Sequence, residues 1–489
     1  MLLMKKLMTT PAHTPKRFML SALFAAVTLL TVQAHAASTL PTPVLAADSI
    51  IDSIDRLGQL TIEVPATQYF ETDHGVQVAF TPLTELPIID VSLHFATNAA
   101  ADGLPAGTAN MVATMLTQGS GSLSEDDFIQ ASESLGIVLS ANASKDGLSL
   151  SMRSLSDADI VNQASDLMAM ALNHPRFDAA ILKRNQDRLS LSLRQQQQNP
   201  AYVAAQTFTQ AVYEGHHYAH AISGNESSLK SITTDDLKRF TDLYLRAPNA
   251  TLILTGNLSL DEAKKLAHRL TQDLPNQGTK PVSTAMPKKH QPRHIHIDHD
   301  SSQTQIIIGH LTGAQKTDAA SRQHSSDFAL GNEVLAGGDF NARLMKTIRE
   351  QKGYTYGIYG NLEQLKAAGS YAIRFSTDGH QAAEAITQTI QLIRDTLDQG
   401  ISEDELALVR FGNQNGFGQT FSSNASIHQT ISALTVAGFP KDHLQTRPQR
   451  LDRATLDSVN QALKSTIHPD QFIIVTVGKI KPDLSHLFK

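Results

Sequence analysis

Apolar and polar positions along this chain follow two rhythms, and the same succession of rhythms occurs twice. Residues 88–95 (IIDVSLHF) form an apolar strand pattern, and residues 304–311 (TQIIIGHL) form its counterpart. Each carries a histidine near its end, His94 and His310, 216 positions apart. A helix, short turn and second helix recur as LMAMALNHPRFDAAILKRNQ and LIRDTLDQGISEDELALVRF, with Phe177 matching Ile401 at a distance of 224. Both halves close on a strand after a proline, Pro248 and Pro469, 221 residues apart. Three landmarks at nearly one spacing predict a duplicated domain.

Within the halves, strands and helices are mixed. Residues 137–155 alternate around Lys145-Asp146-Gly147, which reads as a hairpin with an Asp-Gly turn, and residues 356–359 and 369–377 make a similar pair. Helical period runs through 157–173 and 381–397, with Thr377-Asp378 as a candidate cap for the second. Hairpins plus helices predict an α+β fold of two homologous domains, each a largely antiparallel sheet packed with helices. The expected boundaries are 66–277 and 293–489, joined by a proline-containing linker over 278–292 with clustered basic residues.

Composition narrows the function. With 489 residues, 18% charged residues and a net charge of -6, the chain has two domains' worth of sequence and no basic stripe suited to nucleic acid. The absence of cysteine excludes disulfides, thiolate metal sites and a cysteine nucleophile. Lys5, Lys6, Lys16 and Arg17 precede an apolar run over 18–32, and Ala34-His35-Ala36 follows with the small-x-small pattern of a cleavage site. This predicts a signal peptide over 1–36, a lead-in segment over 37–65 and a periplasmic address; an uncleaved anchor is the alternative.

Residues 107–121, GTANMVATMLTQGSG, have the period of a helix. Met111, Val112, Met115 and Leu116 form one apolar stripe, while Asn110, Ala113 and Thr114 are expected to share another face.

In this frame, in Tyr213-Glu-Gly-His-His-Tyr218 and in Phe340-Asn-Ala-Arg-Leu344 leading into Ile348-Arg-Glu-Gln-Lys-Gly353, the chain resembles the pitrilysin and insulinase type zinc peptidases, which include the mitochondrial processing peptidase. The resemblance implies a clamshell half built of two such domains. Active members carry H-x-x-E-H, two zinc ligands and a general base, at the positions held here by Asn110, Ala113 and Thr114. Their third ligand, a glutamate, corresponds to a position at or next to Ser192. Amide, methyl and hydroxyl groups replace imidazole and carboxylate, so this chain is expected to bind no metal or other cofactor, with zinc on a partner.

Arg349 and Tyr356 match the arginine and tyrosine that the family's second domain sends to the zinc site, where they stabilise charge on the scissile carbonyl oxygen. The bland reading pairs Arg349 with Glu333 or Glu350 and makes Tyr356 a core strand residue. Gly337 and Gly338 permit close backbone approach, and with Phe340 and Asn341 they are the candidate substrate-binding residues. His216 and His220 are read as part of a turn, and His294 and His296 as one face of an exposed strand edge, ahead of a metal site in either place.

The resemblance therefore implies a noncatalytic subunit that lends Arg349 and Tyr356 to a zinc-bearing homologous subunit, forming a heterodimer that hydrolyses unfolded peptides. A catalytically inactive peptide-binding or scaffold protein of the same fold is the alternative. An independent metalloprotease with unusual ligands is the third reading.

Overall fold

The computed structural model describes residues 62–97, 103–278, 286–337 and 340–488. The expected signal peptide, the lead-in before residue 62, linker residues 279–285 and Gly338 lie outside the described residues.

The first half contributes strands β1 (Gln68–Glu71), β2 (Gln77–Pro82), β3 (Ile88–Ala96), β4 (Val138–Ala143), β5 (Gly147–Leu155) and β6 (Ala250–Gly256), in the order β1-β2-β6-β3-β5-β4. The second contributes β7 (Arg293–Asp298), β8 (Gln303–Thr312), β9 (Ile358–Glu363), β10 (Gly369–Asp378) and β11 (Ile473–Gly478), in the order β7-β11-β8-β10-β9. Edge strand β1 aside, the two orders are one topology. In each half the first and last strands pair in parallel, β2 with β6 and β7 with β11, and the remaining pairs are antiparallel. The duplication read from three spacings is thus a repeated sheet.

Helices of the first half are α1 (Thr108–Met115), α2 (Glu125–Ser134), α3 (Ala158–Asn173), α4 (Ala179–Gln196), α5 (Pro200–Val212), α6 (Glu226–Ser231), α7 (Thr234–Tyr244) and α8 (Leu260–Thr271). Those of the second are α9 (Ala319–Ala336), α10 (Ala382–Gln399), α11 (Glu403–Gly416), α12 (Asn424–Val436), α13 (Arg447–Arg453) and α14 (Leu456–Thr466), with a π-helix over Met345–Gln351 between α9 and β9. Local sequence sets many of the starts. Ser124 with Asp127, Ser259 with Glu262 and Ser402 with Glu405 form capping boxes, and Asn199 caps α5 ahead of Pro200.

Two helices cross between the halves. Helix α5 lays Ala204, Phe208, Ala211 and Val212 on the second sheet, against Ile307, Val475 and Val477. Gly309 allows this approach, since a Cβ there would lie 2.8 Å from the Phe208 ring and 2.1 Å from the Tyr371 carbonyl oxygen. In return, α12 places Ile427 and Ile431 against Ala79 and Ile253 of the first sheet. Each sheet therefore has one face covered by its own helices and part of the other covered by the opposite half.

Two local expectations are corrected. Helix α10 starts at Ala382 with no side-chain cap, because Asp378 instead accepts from the His380 N–H and ends β10 in a turn. Strand β9 starts at Ile358, leaving Tyr356 in the bend before it. On the face it shares with Asn110 and Thr114, Ala113 is 3% exposed and belongs to the first core, because α1 is covered on more than its apolar stripe.

Candidate functional site

Helix α1 begins at a fixed point. Gly107 has φ 97°, and a Cβ there would sit 2.9 Å from the Ser223 carbonyl oxygen. Gly224 closes the same contact from the other side, with φ 72° and 2.4 Å from its hypothetical Cβ to the Ala106 oxygen. Two left-handed glycines thus lock the helix start to the loop after α5. Met111, Val112, Met115 and Leu116 then fill the core. Thr114 turns its hydroxyl back on its own helix, donating to the Asn110 carbonyl oxygen at 2.8 Å.

The facing helix α4 carries amides and hydroxyls inward. Leu182, Asn185, Gln186, Ser190 and Leu193 form its buried face, so Ser190 is the inward serine, while Ser192 is half-buried with Gln196 3.4 Å from its hydroxyl. Asn185 donates to Gln118 Oε1 at 2.6 Å, and Gln186 donates to the Leu229 and Ile232 carbonyl oxygens at 2.8 Å each. Zinc requires imidazole, thiolate or carboxylate ligands. Asn110, Ala113, Thr114 and the inward face of α4 offer none of these, so they do not fit that ion. Among the described residues, no group of three or more His, Asp or Glu side chains is arranged to hold a metal.

The histidine clusters have other partners. His216 Nδ1 accepts from the Tyr218 N–H at 3.2 Å, and the His217 ring stacks beside it. Burial and the neighbouring His216 hold His217 down to about 4, so it is neutral near pH 7. His294 and His296 do sit on an edge strand, but both rings fold onto its neighbour, reaching the Thr476 hydroxyl at 2.7 and 2.9 Å.

Sequence reasoning singled out Tyr213 and Tyr218 without finding their task. Tyr218 hydrogen-bonds Asp146 and accepts from the Ala367 N–H at 3.1 Å, while Asp146 also accepts from the Lys366 N–H at 3.1 Å. Lys145 donates to the Tyr218 carbonyl at 2.9 Å and lies over the Tyr213 ring at 4.5 Å. The Asp-Gly hairpin turn is therefore a junction between the halves. Its sequence signal is the turn itself, which says nothing of the distant partner.

In the second half, Arg349 lies on the π-helix and Tyr356 seven residues on. The guanidinium rests 4.6 Å over the face of Phe340 and forms no ion pair with Glu333 or Glu350. Glu333 instead accepts from Asn413 at 2.6 Å. Tyr356 is 87% exposed and Phe340 59%, so neither is a core residue. Asn341 is exposed beside Phe340. Gly337 ends α9 with its Cα hydrogens against Glu333, where a Cβ would meet backbone at 2.7 Å. Arg343, from the same FNARL segment, forms a bidentate pair with Glu405 at 2.8 and 2.7 Å, fixing the segment to α11.

Residues 100–226 match the family model described as insulinase (peptidase family M16), and residues 231–413 match the one described as peptidase M16 inactive domain. A protein of Helicobacter pylori called non-peptidase homolog YmxG is 22% identical over 385 residues, covering 77% of this chain and 85% of that one. The uncharacterized zinc protease YmxG of Bacillus subtilis is 23% identical over 301 residues, covering 61% and 71%. The solved peptidase M16 inactive domain from Pseudomonas fluorescens superposes with a TM-score of 0.80 at 28% identity, covering 85% of this chain and 99% of its own. A protease from Helicobacter pylori shares the fold with a TM-score of 0.77 at 16% identity. With the repeated sheet, the frame of α1 intact and its metal-binding positions replaced, the chain belongs to the insulinase (peptidase M16) family.

Proposed function

We propose that this chain is the noncatalytic subunit of a periplasmic insulinase-type heterodimer, supplying Arg349 and Tyr356 to a zinc-bearing homologous subunit that hydrolyses unfolded peptides. The observation that carries this reading is the outward presentation of the pair. Tyr356 is almost wholly exposed, and Arg349 is held on Phe340 and forms no ion pair with a carboxylate among the described residues.

Amide hydrolysis builds negative charge on the carbonyl oxygen. A positioned guanidinium and a phenolic hydroxyl donate to that oxygen, and loss of one such donor typically costs about 3 kcal/mol of barrier. The peptide would add as a strand to a sheet edge, with Gly337, Phe340 and Asn341 beside it. Strands β4 and β9 are such edges, each with one neighbour. Zinc and the general base belong to the partner in this reading, and the leader-like pattern before residue 37 supports export.

The name of the Helicobacter pylori relative, non-peptidase homolog YmxG, favours a second reading, an inactive peptide-binding or scaffold protein. Mixing the protein with a zinc-bearing homologue separates the two. Arg349→Ala and Tyr356→Phe should each lower peptidase activity at least about a hundredfold without dissociating the complex. Unchanged activity in both variants would leave only the scaffold.

A further inference from the structure

We propose that the second half carries a binding cleft for a small organic anion, an oxyanion group borne on an apolar body. The cleft has a volume of about 590 Å³ and lies where β8 runs out toward the first turn of α9. This is within the size range of small-molecule sites. It sits at the far end of β9 from Tyr356, at Leu362, and is separate from the Arg349 surface. The proposal does not depend on the peptidase reading.

The lining divides by chemistry. Leu311, Phe328 and Leu362 make an apolar wall, and Lys289, Lys316 and His324 stand on the polar side. No aspartate or glutamate lines the cleft among the described residues. The nearby carboxylates have partners of their own: Asp318 accepts from the Ser321 N–H and hydroxyl at 3.1 and 2.7 Å, and Asp470 pairs with Arg394 at 3.1 Å. His310 at the back is neutral and fully bonded, its Nδ1 to the Leu311 carbonyl at 2.9 Å and its Nε2 accepting from the His468 N–H at 3.1 Å. The floor is thus bonded and uncharged, while among the described residues the two ammonium groups have no carboxylate ion pair. Excess positive charge around an apolar pocket favours an anion with an apolar body.

The duplicated fold supplies an internal comparison. The equivalent crevice in the first half, between the end of β3 and the first turn of α1, is only about 60 Å³. There Lys145 is drawn in and bonded to the Tyr218 carbonyl, and His217 and Tyr218 occupy the space. One crevice is filled by the junction between the halves, and its repeat is open and basic.

Calorimetric titration of the full chain tests this with three probes: N-acetylphenylalanine, phenyl phosphate and the neutral N-acetylphenylalaninamide. At least one anion should bind, more weakly at high salt, with the amide at least about tenfold weaker. Preference for the carboxylate points to a peptide terminus, and preference for the phosphate to a phosphorylated metabolite; both support the cleft. Lys289→Gln with Lys316→Gln, both exposed and harmless to folding, should weaken the anion at least about tenfold. Binding of the amide as tightly as the acid, an unaffected double variant, or no binding of either anion would overturn the proposal.

Discussion

His428 of α12 reaches across the two halves to the Ser92 hydroxyl of β3 at 2.8 Å, while its other ring nitrogen meets Thr255 of β6 at 3.0 Å. Ser92 also bonds Ser151 at 2.8 Å, so one imidazole ties three strands of the first sheet to a helix of the second half. Asp90 and Ser92, polar residues of β3, are buried under this contact. Replacing His428 by Ala leaves the buried Thr255 hydroxyl unpaired and a void, and should cost about 2–4 kcal/mol of stability. Urea unfolding of the variant measures it; a loss within experimental error would mean that the joint is incidental.

The same joint predicts sensitivity to acid. Burial holds His428 down to about 4, with Asp90 opposing and Arg153 adding to the shift, and His94 and His310 are held at about 4 as well. Below the ordinary histidine value of about 6.5 the unfolded chain binds protons that the folded chain does not. Stability should therefore be full above about pH 6.5 and fall toward pH 4, at about 1.4 kcal/mol per pH unit for each such group. His428→Ala should flatten that slope, which denaturant midpoints across the pH range would show.

Arg343 and Glu405 give a second, lower window. Hydrogen bonds from Arg343, against a smaller opposing effect of burial, hold Glu405 down to about 2. The carboxylate's contribution is complete above its ordinary value near 4.5 and is lost as pH falls from there to about 2. Both side chains are partly exposed, so Arg343→Ala should cost only about 1–2 kcal/mol. Thermal unfolding at neutral pH and at pH 3 should show a smaller difference between wild type and variant at the lower pH.

Rebuilding the metal set is expected to fail position by position. Asn110→His and Thr114→His stand at half-exposed positions and should each change stability by less than about 1 kcal/mol. Ala113→Glu puts a carboxylate among core residues and should cost about 2–4 kcal/mol. Without a carboxylate at Ser190 the triple variant should bind zinc substoichiometrically after gel filtration, by elemental analysis. Adding Ser190→Glu should raise the zinc content, and Ser192→Glu should not.

That last contrast shows where reading along the chain stops. Neighbouring positions on a helix are about 100° apart, so a frame read to within two residues finds α4 and misses its inward residue. Ser190 faces the core and Ser192 turns partly to solvent, a distinction set by what packs on α4. Likewise the period of α1 identified Met111, Val112, Met115 and Leu116, but the fate of Ala113 depended on neighbours from other elements.

Local and repeated features follow from residue order alone. Turn chemistry set the hairpin at Asp146-Gly147, capping residues set many of the helix starts, nearly equal spacings revealed the duplication, and residue identity alone removed metal ligands from Asn110, Ala113 and Thr114. The contacts between distant segments come from the packing of the folded halves. Packing exchanged α5 and α12 between the sheets, seated His428 on Ser92, carried Tyr218 to Asp146, and left Tyr356 exposed before β9. Ser92 and His428 are 336 residues apart. Contacts at such separation arise from which faces of the folded halves meet, and they leave no periodic trace in either segment.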